Sequence, residues 1–132
     1  MSGQRGIFFS AALFNWGVAG GLIFAMPLVE RLLALEPVAP GAKVFVDLFA
    51  VLVIAFGCGY WMAALDFRRY RLFASWGAWA KLAVVAVVFW HFIVGHIGWP
   101  LLALSAGDLI YAAVFLALLR NARRTGAQEV LQ

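Results

Sequence analysis

Charged and titratable side chains within long apolar runs are the residues of this 132-residue chain that could do chemistry. Lys81 and Asp108 each lie well inside such a run, and Asp47 and His91 lie nearer to the ends of theirs. An ionisable group inside a bilayer costs about 2.5–3.5 kcal/mol on insertion scales, so each of these residues needs a partner or a use. The chemistry open to them is ion pairing, proton transfer or recognition of a polar substrate.

The elements that must position these residues are four apolar runs, each long enough to cross a bilayer as a helix of about 20 residues. They cover residues 7–29, 44–65, 73–94 and 101–119, and a polar tail follows at 120–132. The first run is longer than the apolar part of a signal peptide, so we expect it to be retained. The sequence therefore predicts an all-α fold: one integral membrane domain, a four-helix bundle with up-down-up-down topology.

Composition and charge exclude several classes of protein. The chain is 66% hydrophobic and 12% charged, which excludes a small soluble domain, a disordered tail and a nucleic-acid binder. Basic residues favour one side of the predicted bundle, and positive charge marks the cytoplasmic side. The basic residues of that side are Arg5, Arg68, Arg69, Arg71, Arg120, Arg123 and Arg124, against Arg31 and Lys43 opposite. We therefore expect an inner (plasma) membrane protein with both termini in the cytoplasm, the lipid bilayer as its surroundings and no nucleic-acid partner.

Lys81 and Asp108 form the strongest candidate pair. Helix rise places Lys81 about 12 Å and Asp108 about 16 Å from the cytoplasmic ends of the third and fourth spans. Those spans are joined by the short segment 95–100, so they must be neighbours. The pair is either a structural staple that fixes the register of the helices or part of a proton or substrate site.

A second polar cluster is predicted near the outer interface. Asp47 and His91 reach a similar depth, so they either contact each other or Asp47 caps the first turn of its helix. His91 and His96 lie about 140° apart around a continuous helix and do not share a face. No metal site and no cofactor is expected from this pattern.

Small residues on the first span predict close helix packing. Gly17 and Gly21 form a G-x-x-x-G pair, a spacing that lets two helices approach closely. The partner is either the second span of the same chain or another subunit.

Three segments carry a resemblance to a known family. They are residues 59–69 (GYWMAALDFRR), 77–82 (GAWAKL) and 107–109 (GDL). In these segments the chain resembles the small four-helix DoxX-like inner-membrane proteins. The resemblance implies a four-helix bundle with a membrane-embedded lysine and aspartate, here Lys81 and Asp108. Some relatives are linked to quinone-coupled sulfur oxidation and others to the assembly of membrane complexes.

Three functions follow as hypotheses. The first is a non-catalytic accessory or assembly subunit that packs against other membrane subunits. The second is a small proton-coupled transporter that works as a homo-oligomer and uses the Lys81/Asp108 pair. The third is a quinone-linked redox subunit of a membrane complex. The absence of a recognisable catalytic constellation favours a function other than catalysis.

Overall fold

The computed structural model describes residues 2–129 and consists, within that range, of α-helices without strands. The helices are α1 (Ser2–Phe24), α2 (Met26–Leu33), α3 (Lys43–Leu65), α4 (Phe67–Ile93) and α5 (Trp99–Glu129). Four of them, α1, α3, α4 and α5, are long and apolar enough to cross a membrane. The all-α fold and the four apolar spans predicted from the sequence are therefore confirmed, and the chain is a multi-pass membrane protein.

The first apolar run is divided into two helices. The predicted span 7–29 is interrupted at Ala25, whose backbone leaves the helical region (φ −136°, ψ 35°). Pro27 lies in the first turn of α2, where its missing N–H is tolerated. α2 is a helix of eight residues that ends at Leu33. Hydropathy alone did not separate the two helices because both are apolar.

The connection between the second and third spans is a single residue. Residues 66–72 form the basic segment between the predicted second and third spans. This segment is helical from Phe67 onward. Asp66 makes this possible because its carboxylate accepts a hydrogen bond from the Arg69 N–H at 3.1 Å, which caps α4. Tyr70 departs from helical geometry (φ −106°, ψ 17°), so α4 is kinked one turn after its start.

The last helix extends into the predicted polar tail. α5 continues to Glu129, ten residues beyond the predicted end of the fourth span at residue 119. Its polar part contains three arginines and two alanines, residue types that favour helix formation without apolar burial. The remaining tail residues, 130–132, lie outside the described residues.

Close contacts between α1, α3 and α4 depend on glycines. A side chain at Gly57 would overlap the indole of Trp16, so α1 and α3 approach through this glycine. A side chain at Gly77 would overlap the ring of Tyr60, which brings α3 against α4. At Gly57 and Gly77 the bundle therefore has no room for a Cβ atom.

The buried core occupies one end of the bundle. The rings of Phe8 and Phe115 stack with centroids 4.6 Å apart, and Phe67 lies 5.5 Å from Phe8. Small buried residues fill the spaces among these rings: Ala11, Ala12, Ala63, Ala64, Ala74 and Ala78. We call this the terminal end, and we call the opposite end, which holds α2 and residues 34–42 and 94–98, the loop end.

Candidate functional site

Lys81 lies at the centre of the bundle, where α1, α4 and α5 meet. Only 5% of the surface of Lys81 is exposed. The ammonium group forms an ion pair with the carboxylate of Asp108 on α5. It also donates a hydrogen bond to the side-chain oxygen of Asn15 on α1, at 3.2 Å. The structure thus brings together the two residues that the sequence analysis paired, and it adds an amide from a third helix.

Aromatic rings surround the same ammonium group. The Nζ atom of Lys81 lies 5.5 Å from the ring centroids of Phe14, Tyr60 and Tyr111. At this distance the negative faces of aromatic rings attract a cation, more strongly where water is excluded. The three rings, the carboxylate and the amide together replace the water that a lysine loses on burial.

Asn15 is held in one orientation by α3. Its side-chain nitrogen donates a hydrogen bond to the backbone carbonyl of Val53 at 3.3 Å, which leaves the amide oxygen for Lys81. The neighbouring Trp16 indole donates in the same way to the carbonyl of Ile54, also at 3.3 Å. α1 therefore presents a fixed hydrogen-bond acceptor to the centre of the bundle.

A cavity of about 580 Å³ extends from this polar cluster toward the loop end. This volume lies in the range of roughly 300–1,000 Å³ that is typical of small-molecule sites. Every helix contributes to its wall. The polar side chains Asn15, Lys81, Ser105 and Asp108, with Tyr60, line one part. Apolar residues such as Val29, Leu33, Phe49 and Phe56 line the rest. The cavity is therefore apolar with one polar end.

The hydroxyl group of Tyr60 lies beside this polar end and has no hydrogen-bond partner among the described residues. Tyr60 is 1% exposed, and its ring edge and hydroxyl lie against Gly77. A buried hydroxyl without a partner costs about 1–3 kcal/mol. This group is the one buried side-chain polar atom in the described part of the chain that the surrounding protein leaves unsatisfied.

Asp47 and His91, the predicted outer cluster, have different partners in the structure. Asp47 forms an ion pair with Lys43, one turn earlier on α3, and His91 contacts His96. Within residues 2–129 they share neither a hydrogen bond nor an ion pair. Asp47 also does not cap its helix, since α3 begins at Lys43 and has no acidic residue in its first turn. Lys43 pairs with Asp47 because residues four apart lie on the same face of a helix.

His91 and His96 meet although their spacing on a continuous helix would separate them. Their Nδ1 atoms are 3.0 Å apart. The reason is that α4 ends at Ile93 and Gly95 adopts a left-handed conformation (φ 78°), after which the His96 N–H donates to the His91 carbonyl at 2.9 Å. A hydrogen bond of this kind, across six residues with a left-handed glycine, is the Schellman motif at the end of a helix. It folds His96 back over His91. No group of three or more potential metal ligands occurs among the described residues.

Gly17 and Gly21 do not lie where α1 meets α3. A Cβ atom at Gly17 would have no neighbour within 4 Å, and one at Gly21 would lie 3.2 Å from the Val29 side chain of α2. Both glycines line the cavity, because α2 folds back across this face of α1. The close α1–α3 approach uses Gly57 instead. Packing of Gly17 and Gly21 against another subunit stays a prediction.

Sequence reasoning missed the cavity and most of the groups around Lys81. Asn15 is the most polar residue of its span, which was a usable signal. Phe14, Tyr60 and Tyr111 gave no such signal, since aromatic residues are frequent throughout the chain. The cavity depends on the break at Ala25 and on the path of α2, which hydropathy does not encode.

No family model, curated protein or solved structure matches this chain. The resemblance to DoxX-like proteins therefore stays a prediction that depends on three short motifs.

Proposed function

We propose that this protein is a membrane subunit that binds a lipid-soluble amphiphile within its helix bundle. The observation that carries the proposal is the polar cluster of Lys81, Asp108 and Asn15 at one end of an otherwise apolar cavity of about 580 Å³. A molecule with a polar head and an aliphatic body is complementary to this shape and polarity. Binding of this kind is compatible with the accessory role in a larger complex that the sequence suggests.

We also propose the location and orientation of the site. The basic residues predict an inner-membrane protein with an up-down-up-down bundle and both termini in the cytoplasm. In that orientation the terminal end faces the cytoplasm, and the cavity opens toward the outer leaflet. Ligands would enter from the bilayer at the loop end.

Packing at the terminal end supports binding rather than transport through a single chain. The stacked rings of Phe8 and Phe115, with Tyr60 5.1 Å from Phe115, fill the bundle between the polar cluster and that end. A transport path would require this core to open. The transporter hypothesis would therefore need a second subunit to supply the path.

The proposal is tested by the lipid content of purified protein. The double variant Lys81→Met/Asp108→Leu removes the polar cluster while keeping the net charge and much of the side-chain volume. The matched control Lys43→Met/Asp47→Leu removes the other ion pair, which lies outside the cavity. Proteins are purified in nanodiscs, and bound small molecules are quantified by mass spectrometry.

We expect wild type and the control to retain a stoichiometric amphiphile and the Lys81/Asp108 variant to lose it while still folded. Equal ligand content in all three proteins, or none in the wild type, would contradict the proposal.

A further inference from the structure

We infer that the site selects an uncharged amphiphile whose head is a hydroxyl group on an aliphatic chain. This inference rests on the proposed binding function and names the class of ligand. It follows from the charge balance of the polar cluster, from its unused hydrogen-bonding groups and from the character of the cavity wall.

The cluster is already neutral as a whole. Lys81 carries one positive charge and Asp108 one negative charge, and they pair with each other. An anionic head that paired with Lys81 would leave Asp108 unpaired, and a cationic head on Asp108 would leave Lys81 unpaired. A buried charge without a partner is strongly unfavourable, so the cavity favours a head without net charge.

Besides the Tyr60 hydroxyl, the Lys81/Asp108 pair has one unused hydrogen-bond donor and one unused acceptor. Lys81 has three N–H groups, and its hydrogen bonds within the described residues go to Asp108 and Asn15. The contacts of Asp108 involve one carboxylate oxygen, so its second oxygen can accept. The Asp108 side chain is 19% exposed and lines the cavity. A ligand here must accept one hydrogen bond and donate another.

A single hydroxyl group can accept one hydrogen bond and donate another. Its oxygen accepts from an N–H, and its own O–H donates to a carboxylate. An ether or ester oxygen accepts only and would leave the second carboxylate oxygen of Asp108 without a donor. The site can therefore distinguish an alcohol from its methyl ether, because loss of a donor leaves a buried polar group unpaired.

The rest of the cavity wall indicates an aliphatic body. Most of the side chains that line it beyond the polar cluster are aliphatic, among them Val18, Leu22, Val29 and Val88, and Phe49 and Phe56 complete the wall. These side chains offer no hydrogen bonds, so a second polar group along the chain of the ligand would lose its water without compensation.

The experiment compares four probes that share a twelve-carbon chain: 1-dodecanol, 1-methoxydodecane, dodecanoate and dodecyltrimethylammonium. Direct binding of each radiolabelled probe to the wild-type protein in nanodiscs is measured, and empty nanodiscs give the background. We expect saturable binding of 1-dodecanol and at least about tenfold weaker binding of the ether and of both charged probes.

Equal or tighter binding of the ether or of a charged probe would overturn the hydroxyl inference while leaving the binding function intact. Saturable binding of none of the four probes would overturn both.

A charge-changing variant gives an independent test. Asp108→Asn removes the negative charge but keeps a hydrogen-bonding side chain of similar size. The cluster then carries a net positive charge, so dodecanoate should gain affinity relative to 1-dodecanol by about tenfold or more. An unchanged ratio of the two affinities would contradict the assignment of Asp108 as the group that contacts the head.

Discussion

At the scale of single residues, the buried Lys81/Asp108 pair is the feature that both the sequence and the structure emphasise. The sequence could place the two residues at neighbouring depths, because helix rise and a tight connection limit where they lie. It could not identify the acceptor on Asn15 or the three rings, since these depend on which face each helix turns inward. A buried ion pair is weak evidence of stability by itself, and its cavity-facing position is what indicates a use.

Removal of one member of the pair should be more damaging than removal of both. Lys81→Met leaves the Asp108 carboxylate without its cation and should lower the free energy of unfolding by about 3–5 kcal/mol. The double variant Lys81→Met/Asp108→Leu should recover much of that loss. Reversible unfolding in mixed micelles measures the free energy of unfolding of each variant. If the loss in the double variant equals the sum of the losses in the two single variants, the two side chains are not directly coupled.

The hydroxyl group of Tyr60 should contribute nothing favourable to the folded protein without ligand. Because this group is buried without a partner in the described structure, Tyr60→Phe should leave the free energy of unfolding unchanged or raise it by about 1 kcal/mol. Thermal unfolding of ligand-free protein checks this expectation. A loss of more than about 1 kcal/mol would show that the hydroxyl group has a partner.

At the scale of helices, hydropathy located all four spans but not their ends. Asp66 caps α4 within a basic segment, and Ala25 interrupts a uniformly apolar run, so neither boundary changes the local hydropathy enough to be seen. The predicted separation of His91 and His96 was wrong for a related reason. Helical spacing assumes a continuous helix, and Gly95 ends that continuity between them.

Two glycine substitutions should separate packing from helix propensity. Gly57→Ala places a methyl group into the Trp16 indole and should destabilise the α1–α3 contact by about 1–3 kcal/mol. Gly17→Ala is the matched control, since nothing lies within 4 Å of its Cβ position. It should be neutral or stabilising by up to about 1 kcal/mol, because alanine favours helix over glycine. Equal effects of the two substitutions on thermal stability would contradict the assigned α1–α3 contact.

At the scale of the whole molecule, the bundle is packed at one end and hollow at the other. Large apolar side chains such as Phe24, Trp76 and Trp99 are exposed on its outside, as expected of surfaces that face lipid rather than water. This division between core and cavity places the proposed ligand site inside the helix bundle. It also makes the orientation in the membrane decisive for where ligands enter.

The proposed orientation can be tested with two matched cysteine variants. Gly3 and Gly41 both have open space at their Cβ positions, and they lie at opposite ends of the bundle. In a Cys58→Ser background, Gly41→Cys should react with a membrane-impermeant thiol reagent in intact cells and Gly3→Cys should not. The reverse labelling pattern would show that both termini face outward.

The most direct test of ligand binding is photolabelling with a long-chain alcohol that carries a diazirine near the end of its chain. In the wild-type protein, the label should map to cavity-lining residues of the loop end, such as Val29, Val88 and Leu101. The Lys81→Met/Asp108→Leu variant should lose that labelling, and excess 1-dodecanol should compete with it. Labelling confined to lipid-facing positions such as Leu48 and Val51, unchanged in the variant, would contradict the account.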